Sequence, residues 1–309
     1  MASGIRATAW TLVAAGVAAP VLRRRLKLPV RAVLATTAVA PVALCVVKPR
    51  SRTRDAAVCV LNMWGYLVAY ESPNDDPDRL RSRVRVDYPI AIDRVLGLGT
   101  LPGVRLQRRF SRPGRVNRFE RVLVWCHWLW FFVPHVSVAY FLLRRPDRFP
   151  AAAARMYAVF DIGGVFYTLI PTAPPWWAAE NGHVDRAHEV QVRRMMKEYG
   201  EEFWGERWTS LYDVLGGNPL AAMPSLHFAT SLMGAHLLQE VGPVPGAVGW
   251  AYALTLGLAL VYLGEHYAVD LVAGAALTET IRKLAPRAAP AALRAASLIQ
   301  ALEARASTA

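Results

Sequence analysis

The chain predicts an all-α fold: a polytopic integral membrane helix bundle with about six transmembrane helices. Three observations carry that prediction. Of the 309 residues, 54% are hydrophobic, and the mean hydropathy is +0.23. Charged residues make up 19% of the chain, whereas a soluble domain carries about 25%. Apolar stretches near the roughly 20 residues needed to span a bilayer recur along the sequence, separated by arginine-rich connections.

The elements follow in order. Ile5–Leu22 is apolar and is followed by RRRLK, Arg23–Lys27. A signal peptide places its basic residues before the apolar core, so this order predicts an anchor. Val30–Val47 is the second stretch and ends in KPRSRTR. Asp55–Tyr70 is shorter, carries Asn62, and reads as an interfacial or re-entrant helix. Glu71 to Arg118 is polar and arginine-rich with no spanning candidate, and connections of that length usually have a function. Val122–Leu143 is an apolar, aromatic span followed by RRPDR, Arg144–Arg148. Ala151–Ile170, the short Leu226–Leu238, Val244–Tyr262 and His266–Leu284 complete the set, with a polar segment from Pro171 to Ala221 between them. An Ala-rich tail follows Pro286. The expected organisation is an N-terminal region of anchor helices and an interfacial segment (1–90), a catalytic membrane domain (91–285) and a C-terminal tail (286–309).

Loop charge predicts orientation, because Lys and Arg accumulate in cytoplasmic connections. RRPDR is the most basic short connection and is expected inside. The Pro171–Ala221 segment and the Gly264–His266 turn then share the extracytoplasmic side, and the C-terminal RKLAPR falls inside. RRRLK and KPRSRTR flank one span and cannot both be inside, so the N-terminal half does not follow the rule throughout.

Thirty-six Lys and Arg against 23 Asp and Glu give a net charge of +13. In a membrane chain this excess fits anionic headgroups or a phosphorylated lipid substrate. Nucleic acid is excluded as a partner because no recognition motif accompanies the basicity. The oligomeric state is not encoded in any pattern here. Cys45, Cys59 and Cys126 lie in apolar runs without a CxxC spacing, so they read as small buried hydrophobes.

Two polar segments on one predicted side each deliver a histidine. In AAMPSLHFA, Ala221–Ala229, Pro224 suits a helix start and Ser225 offers a capping hydroxyl. His227 then sits in the first turn, where free backbone N–H groups and the helix dipole favour an anion. In GEHYAVDLVAG, Gly264–Gly274, His266 and Asp270 are four apart and share one helical face. A carboxylate there can hold Nδ1–H of His266 and leave Nε2 as a base or nucleophile. Two histidines, a carboxylate and a helix N-terminus suggest phosphoryl transfer, with one imidazole attacking phosphorus and the other handling the proton of the leaving oxygen. Charged groups inside a membrane segment are costly unless they are used or satisfied.

PSLH at Pro224–His227 and HYAVD at His266–Asp270 resemble the second and third motifs of the type-2 phosphatidic acid phosphatase superfamily. YTLIPTAPPWW, Tyr167–Trp177, is similar to the Pro-rich signature of its inositol phosphorylceramide synthase-like, inositolphosphotransferase branch. DRVLGLGTLP and VRLQRRF, Asp93–Pro102 and Val104–Phe110, and the span with His127 resemble the lead-in of that branch. The resemblance runs from about Asp93 to Leu284, with the three motifs in family order. It implies that His266 is the nucleophile, forming a phosphohistidine, that Asp270 orients it, and that His227 protonates the departing alkoxide and deprotonates the incoming alcohol or water. It implies no metal and no cofactor. The phosphatase branch carries a Ser-Arg pair before the third-motif histidine and a Gly before the second-motif one. Leu260, Val261 and Leu226 stand there in this chain, which tilts the expectation toward transfer.

The missing Arg leaves the phosphate charge to be neutralised by another cation, since the pentacoordinate state holds negative charge on its equatorial oxygens. Arg186, Arg193 and Arg194 in the polar segment are candidates, Arg186 and Arg193 being seven apart on one helical face. A lipid-headgroup role is the competing reading for these arginines. Ser225 and Tyr167 are further candidates for substrate contact. Pro174, Pro175 and the adjoining tryptophans fit a boundary belt as well as a substrate mouth. His127 and His135 read as helix-bonded, His183 and His188 as surface residues, and His236 as too deep for the site. Glu265 is either a supporting partner of His266 or water-facing. The reading is a lipid phosphotransferase in the cell membrane with its site on the extracytoplasmic side. Its rivals are a lipid phosphate phosphatase, a non-catalytic lipid-binding scaffold, and a zinc site on His227, His266 and a carboxylate.

Overall fold

In the computed structural model, which describes residues 2–112, 114–184, 192–210 and 218–307, the chain is 78% helical and has no β-strand among those residues. The described helices are α1 (Ala2–Leu26), α2 (Val30–Val47), α3 (Arg52–Glu71), α4 (Pro77–Arg83), α5 (Asp87–Leu96), α6 (Pro102–Phe110), α7 (Arg118–Leu129), α8 (Val133–Arg144), α9 (Phe149–Leu169), α10 (Pro175–Glu180), α11 (Met195–Trp204), α12 (Leu226–Gln239), α13 (Pro243–Tyr262) and α14 (Ala268–Ser307). Among the described residues, three helices are long and apolar enough to cross a membrane: Ser3–Leu22, Val30–Val47 and Pro243–Tyr262.

The single span expected over Val122–Leu143 is broken. Helices α7 and α8 meet at a 50° bend, and together they make a fourth crossing only if the bent pair counts as one. The aromatic run there ends α7 at Leu129, and Trp130 turns aside to donate from Nε1 to Thr230 Oγ1 at 2.8 Å. Helix α12 has 14 residues, about 21 Å of rise, which falls short of a hydrocarbon core of roughly 30 Å. The Asp55–Tyr70 stretch forms part of a longer helix, the 20-residue α3, capped at Ser51.

The chain divides into two compact units. One comprises Met1–Ser72, Val138–Asp161 and Thr280–Ala309, and the other Pro73–Ser137 and Ile162–Glu279. In the first, α1, α2 and α3 pack through Ala9, Ala43, Leu44, Val46 and Val47, with Ala306 in the same cluster. At mid-helix, Asn62 Nδ2 donates to both carboxylate oxygens of Asp161 at 3.3 Å.

The second unit contains every described motif residue. Two isolated parallel bridges, Arg85–Thr172 and Thr172–Ala221, draw three connections together. Thr172 N donates to Leu220 O at 2.8 Å and Ala222 N to Thr172 O at 3.1 Å. The Pro-rich stretch is thereby fixed beside the residues that lead into PSLH. A cluster of Ile90, Leu101, Val104, Ala173, Ala178 and Tyr267 packs α5 and α6 against the same connections. A second cluster, including Leu123, Val124, Met195, Tyr199 and Tyr262, joins α7, α11 and α13.

Candidate active site

His266 follows a helix end that only glycine allows. Helix α13 stops at Tyr262, and Gly264 adopts φ +79°, the left-handed geometry common after helix C-termini. A Cβ at Gly264 would stand 2.6 Å from Val192 Cγ1. Glu265 N and His266 N both donate to Leu260 O, at 3.1 and 3.0 Å. The chain then re-enters a helix at Ala268, which puts Asp270 in the first turn of α14.

The start of α14 is capped from a distance. Asp93 on α5, 1% exposed, accepts from Ala268 N and Val269 N at 2.8 Å each. Those N–H groups have no partner within the helix, and a carboxylate is the favoured acceptor for them. Burial raises the Asp93 carboxyl above its ordinary range, and the two backbone donors oppose that rise. Gln107 on α6 acts similarly on the other flank. Its Nε2 donates to Tyr262 O at 2.7 Å and Arg193 O at 2.9 Å, and its Oε1 accepts from Arg193 N at 2.8 Å.

His227 arrives on α12 after a cis Met223–Pro224 bond. Ser225 Oγ accepts from Phe228 N at 3.3 Å, the capping role its position predicted. Tyr167 Oη donates to Pro224 O at 2.8 Å and accepts from Leu226 N at 3.2 Å. Ser225 N donates to Asp270 O at 3.0 Å, so the two histidine motifs are joined through the backbone. Gly274 permits this approach, since a Cβ there would stand 2.6 Å from Ser225 O.

The imidazoles meet. His266 Nδ1 lies 3.2 Å from Asp270 Oδ2, and His266 Nε2 lies 3.3 Å from His227 Nδ1. The ring centroids are 5.4 Å apart. Asp270 Oδ2 also accepts from Tyr267 N at 2.9 Å, and the residue is 0% exposed. The carboxylate at Nδ1 assigns the His266 proton to that atom and makes Nε2 the acceptor, so His227 Nδ1 carries the proton that points at it. Two further rings enclose His227: Trp130 at 4.1 Å and His127 at 4.6 Å between centroids. His127 is 5% exposed and its Nδ1 is buried with no hydrogen-bond partner.

The expected cations separate. Arg193 is held by carboxylates: its guanidinium bonds Glu198, approaches Glu120 Oε1 at 3.6 Å, and donates to Ser111 Oγ and Arg112 O at 2.7 and 2.8 Å. The Glu198 bond, against the opposing effect of burial, holds its pKa above the ordinary arginine value. Arg194 lies with its guanidinium 3.5 Å over the Trp176 ring, and its Nε is 3.8 Å from Glu265 Oε1, next in sequence to His266. Burial pushes the Glu265 carboxyl up, with Arg194 and His266 pulling the other way. The PPWW stretch is tied in too, because Trp176 N donates to Gly264 O at 3.2 Å. Arg186 and His188 lie outside the described residues.

The structure thus brings together His227, His266 and Asp270, and it sets Arg194 against Trp176 and Glu265, next in sequence to His266. It sets Arg193 in an ion-pair network, and it engages Ser225 and Tyr167 inside the loop that carries His227. His127, expected to bond a neighbouring helix, joins the histidine cluster. Asp93 and Gln107 were missed as supports, although both fall in the lead-in stretches singled out in the sequence. His236 pairs with Glu279 at 2.7 Å, away from the cluster as expected. Among the described residues no group of three or more His, Cys, Asp or Glu is arranged to hold a metal ion.

Comparison with known proteins identifies the family. Residues 90–282 match the family model of the PAP2 superfamily. The chain is 26% identical over 162 residues to the inositol phosphorylceramide synthase catalytic subunit aur1 of Schizosaccharomyces pombe, covering 48% of this chain and 37% of that one. It is 26% identical over 168 residues to an inositol phosphorylceramide synthase of Candida albicans, covering 52% of this chain and 35% of the relative. The matches therefore span about a third of the length of these relatives. No solved structure matches. The matched region contains His127, His227, His266 and Asp270 and exceeds half of the chain, and the protein belongs to the PAP2 superfamily of membrane-bound, lipid phosphate-handling enzymes.

Proposed function

We propose that this protein is a lipid phosphotransferase that moves a phosphoryl or phospho-headgroup from a lipid donor to an alcohol through a phosphohistidine on His266. Inositol phosphate is the group suggested by the names of its relatives. One observation carries the reading: His266 is held by Asp270 at Nδ1 and faces a second imidazole at Nε2.

In the first half-reaction Nε2 of His266 attacks phosphorus. The P–O bond to the departing lipid alcohol breaks, and that oxygen takes the Nδ1 proton of His227, which enters the step as the imidazolium and leaves it as the neutral ring. In the second, the acceptor hydroxyl gives its proton back to His227 while its oxygen bonds phosphorus and the P–N bond breaks. Holding the reacting groups in near-contact removes much of the entropic barrier. The 3.3 Å contact between the rings must open to admit the phosphoryl group, so substrate binding replaces one hydrogen bond with another. Arg194 approaches Glu265, the residue before His266, at 3.8 Å, and in this reading its charge meets the equatorial oxygens.

The same proposal sets the domain within about six spans of the cell membrane, residues 91–285 forming the catalytic part. The site faces the extracytoplasmic side, an orientation supported by the RRPDR connection. The test is trapping with a phosphorus-labelled phospholipid donor. An acid-labile phosphoenzyme is expected in the parent and absent in His266→Ala; label that persists in that variant sinks the assignment. Adding an alcohol should discharge the label into a new phosphodiester. Release of inorganic phosphate alone, at a rate unaffected by alcohol, would mean a phosphatase.

A further inference from the structure

Helices α5 and α6 carry the site's two remote supports, Asp93 and Gln107, on their inner faces. Their outer faces are unlike those of a soluble surface. Ile92, Val95, Leu96 and Leu98 are 42%, 76%, 53% and 82% exposed. Leu98 sits at the tip of the connecting turn with φ +52°, followed by Gly99 at +94°. Large apolar side chains are disfavoured in that conformation, where Gly or Asn would be easier. A leucine held at the tip of an exposed turn marks a surface that meets something apolar.

The adjoining segment is strongly charged. From Val95 to Phe119 there is no acidic residue, while Arg105, Arg108, Arg109, Arg112, Arg115 and Arg118 all occur and all are exposed. Phe110 and Phe119 stand exposed among them. Arg105 also ties the two parts together by donating from Nη2 to Gly97 O. The strip leads straight into α7, where His127 lies nine residues beyond Arg118, about 14 Å along the helix axis. The arginines therefore lie in the segment that leads into the helix of His127, and not in the cluster itself. An apolar tip beside an unbroken arc of positive charge complements one partner in particular: a bilayer surface, with acyl chains below and anionic headgroups above.

We propose that the α5–α6 hairpin and the arginine strip after it form a docking surface for the anionic headgroups of the leaflet on the site's side. Leu98 and its neighbours dip below the headgroups, and the arginines hold phosphodiesters at the mouth of the site. This accounts for a concentration of arginine on a face that the catalytic reading places outside, against the usual bias of loop charge. The inference takes from the proposed function only which leaflet is meant; the lipid contact itself is independent of the chemistry at His266.

The test is made on the full chain in bilayers. Leu98→Cys is labelled with a polarity-sensitive maleimide, the unsubstituted protein serving as the blank for Cys45, Cys59 and Cys126. Nitroxide-labelled phosphatidylglycerol and phosphatidylcholine are compared as quenchers. Quenching by both from within the bilayer is expected, with phosphatidylglycerol favoured. That preference should fall about fivefold per arginine as Arg108, Arg109, Arg112 and Arg115 are changed to Gln. In the parent arginine surface it should also collapse at high salt, which needs no further variant. The His266→Ala protein should behave as the parent does. Equal quenching by the two lipids at low salt, or a probe quenched as fully by aqueous iodide as the free dye is, would overturn the proposal. So would the same phosphatidylglycerol preference in the Gln variant.

Discussion

Helices α12 and α14 frame two histidine–carboxylate pairings, and only one has the form of a catalytic site. Helix α12 presents His227 and, nine residues later, His236; helix α14 presents Asp270 and, nine residues later, Glu279. In the lower pair His236 Nε2 meets Glu279 Oε1 at 2.7 Å, and the ring packs edge-on against Trp250 at 5.0 Å between centroids. In the upper tier His266 stands between His227 and Asp270, so the carboxylate orients a ring whose second nitrogen remains available. The upper tier also lies at two helix N-termini, where backbone N–H groups favour an anion. Both tiers pair an imidazole with a carboxylate, but the upper pair is buried and the lower is partly exposed, its Glu279 side chain at 32%. What sets the upper tier apart is the second imidazole at His266 Nε2, its burial and the nearness of a helix start.

Four substitutions would break or sharpen that contrast. The largest effect belongs to His266→Ala, which should abolish the phosphoenzyme and lower turnover by the 10⁴ to 10⁶ typical of a lost nucleophile, roughly speaking. His236→Gln, at the same depth in chemistry but not in geometry, should leave turnover within about twofold and lower stability by about 1 kcal/mol. Comparable losses in the two variants would mean that both pairings are structural.

Asp270→Asn comes next. An amide at Oδ2 can accept from Tyr267 N but no longer holds the Nδ1 proton of His266 by charge, so the wrong tautomer becomes accessible. Turnover should drop about 10²- to 10⁴-fold with folding retained, by analogy with orienting carboxylates in other triads. A variant that keeps full turnover would show that the 3.2 Å contact plays no part in the reaction.

Asp93→Asn should be milder and of a different kind. The side chain reaches neither imidazole; it fixes Ala268 and Val269, the two positions before Asp270. Loss of a helix cap amounts to about 1 kcal/mol, and a small displacement of a reacting group can cost up to about 100-fold. Turnover should therefore fall roughly tenfold with little change in KM, and Asp93→Glu should restore part of it. A loss confined to thermal stability, with turnover intact, would reduce Asp93 to a fold residue.

Much of this was legible in the letters because it is local. The i, i+4 spacing of His266 and Asp270 fixes a shared face, and Pro224 with Ser225 announces the start of α12. The helical class and the superfamily followed from apolar runs and three short motifs. The remainder depends on tertiary contacts that no window contains. Asp93 meets α14 some 175 residues away in sequence, and nothing in DRVLG marks its carboxylate as a cap. Arg193 and Arg194 are adjacent and chemically identical. Only the fold reveals that Glu120 and Glu198 occupy the first, whereas the second lies on Trp176 beside Glu265. The bend at Trp130 was hidden for another reason: hydropathy continues through it, and the break follows from where that indole finds Thr230.

Glu265 gives the smallest predicted effect, and its sign can be worked out. Its carboxyl is raised because burial outweighs the pull of Arg194 and His266. A folded state that binds the proton more tightly than the unfolded chain is favoured at low pH and loses that advantage as pH rises through the folded pKa. Glu265→Gln removes the titration while keeping the shape. Measured at a fixed scan rate in one detergent, the variant should melt above the parent at neutral pH, and the gap should narrow as the solution is made acidic. A parent that stays the more stable at neutral pH would mean that the 3.8 Å approach of Arg194 outweighs the loss of hydration. Arg194 would then be committed to Glu265, as Arg193 is to Glu198 and Glu120, and the phosphate would have to draw its countercharge from elsewhere.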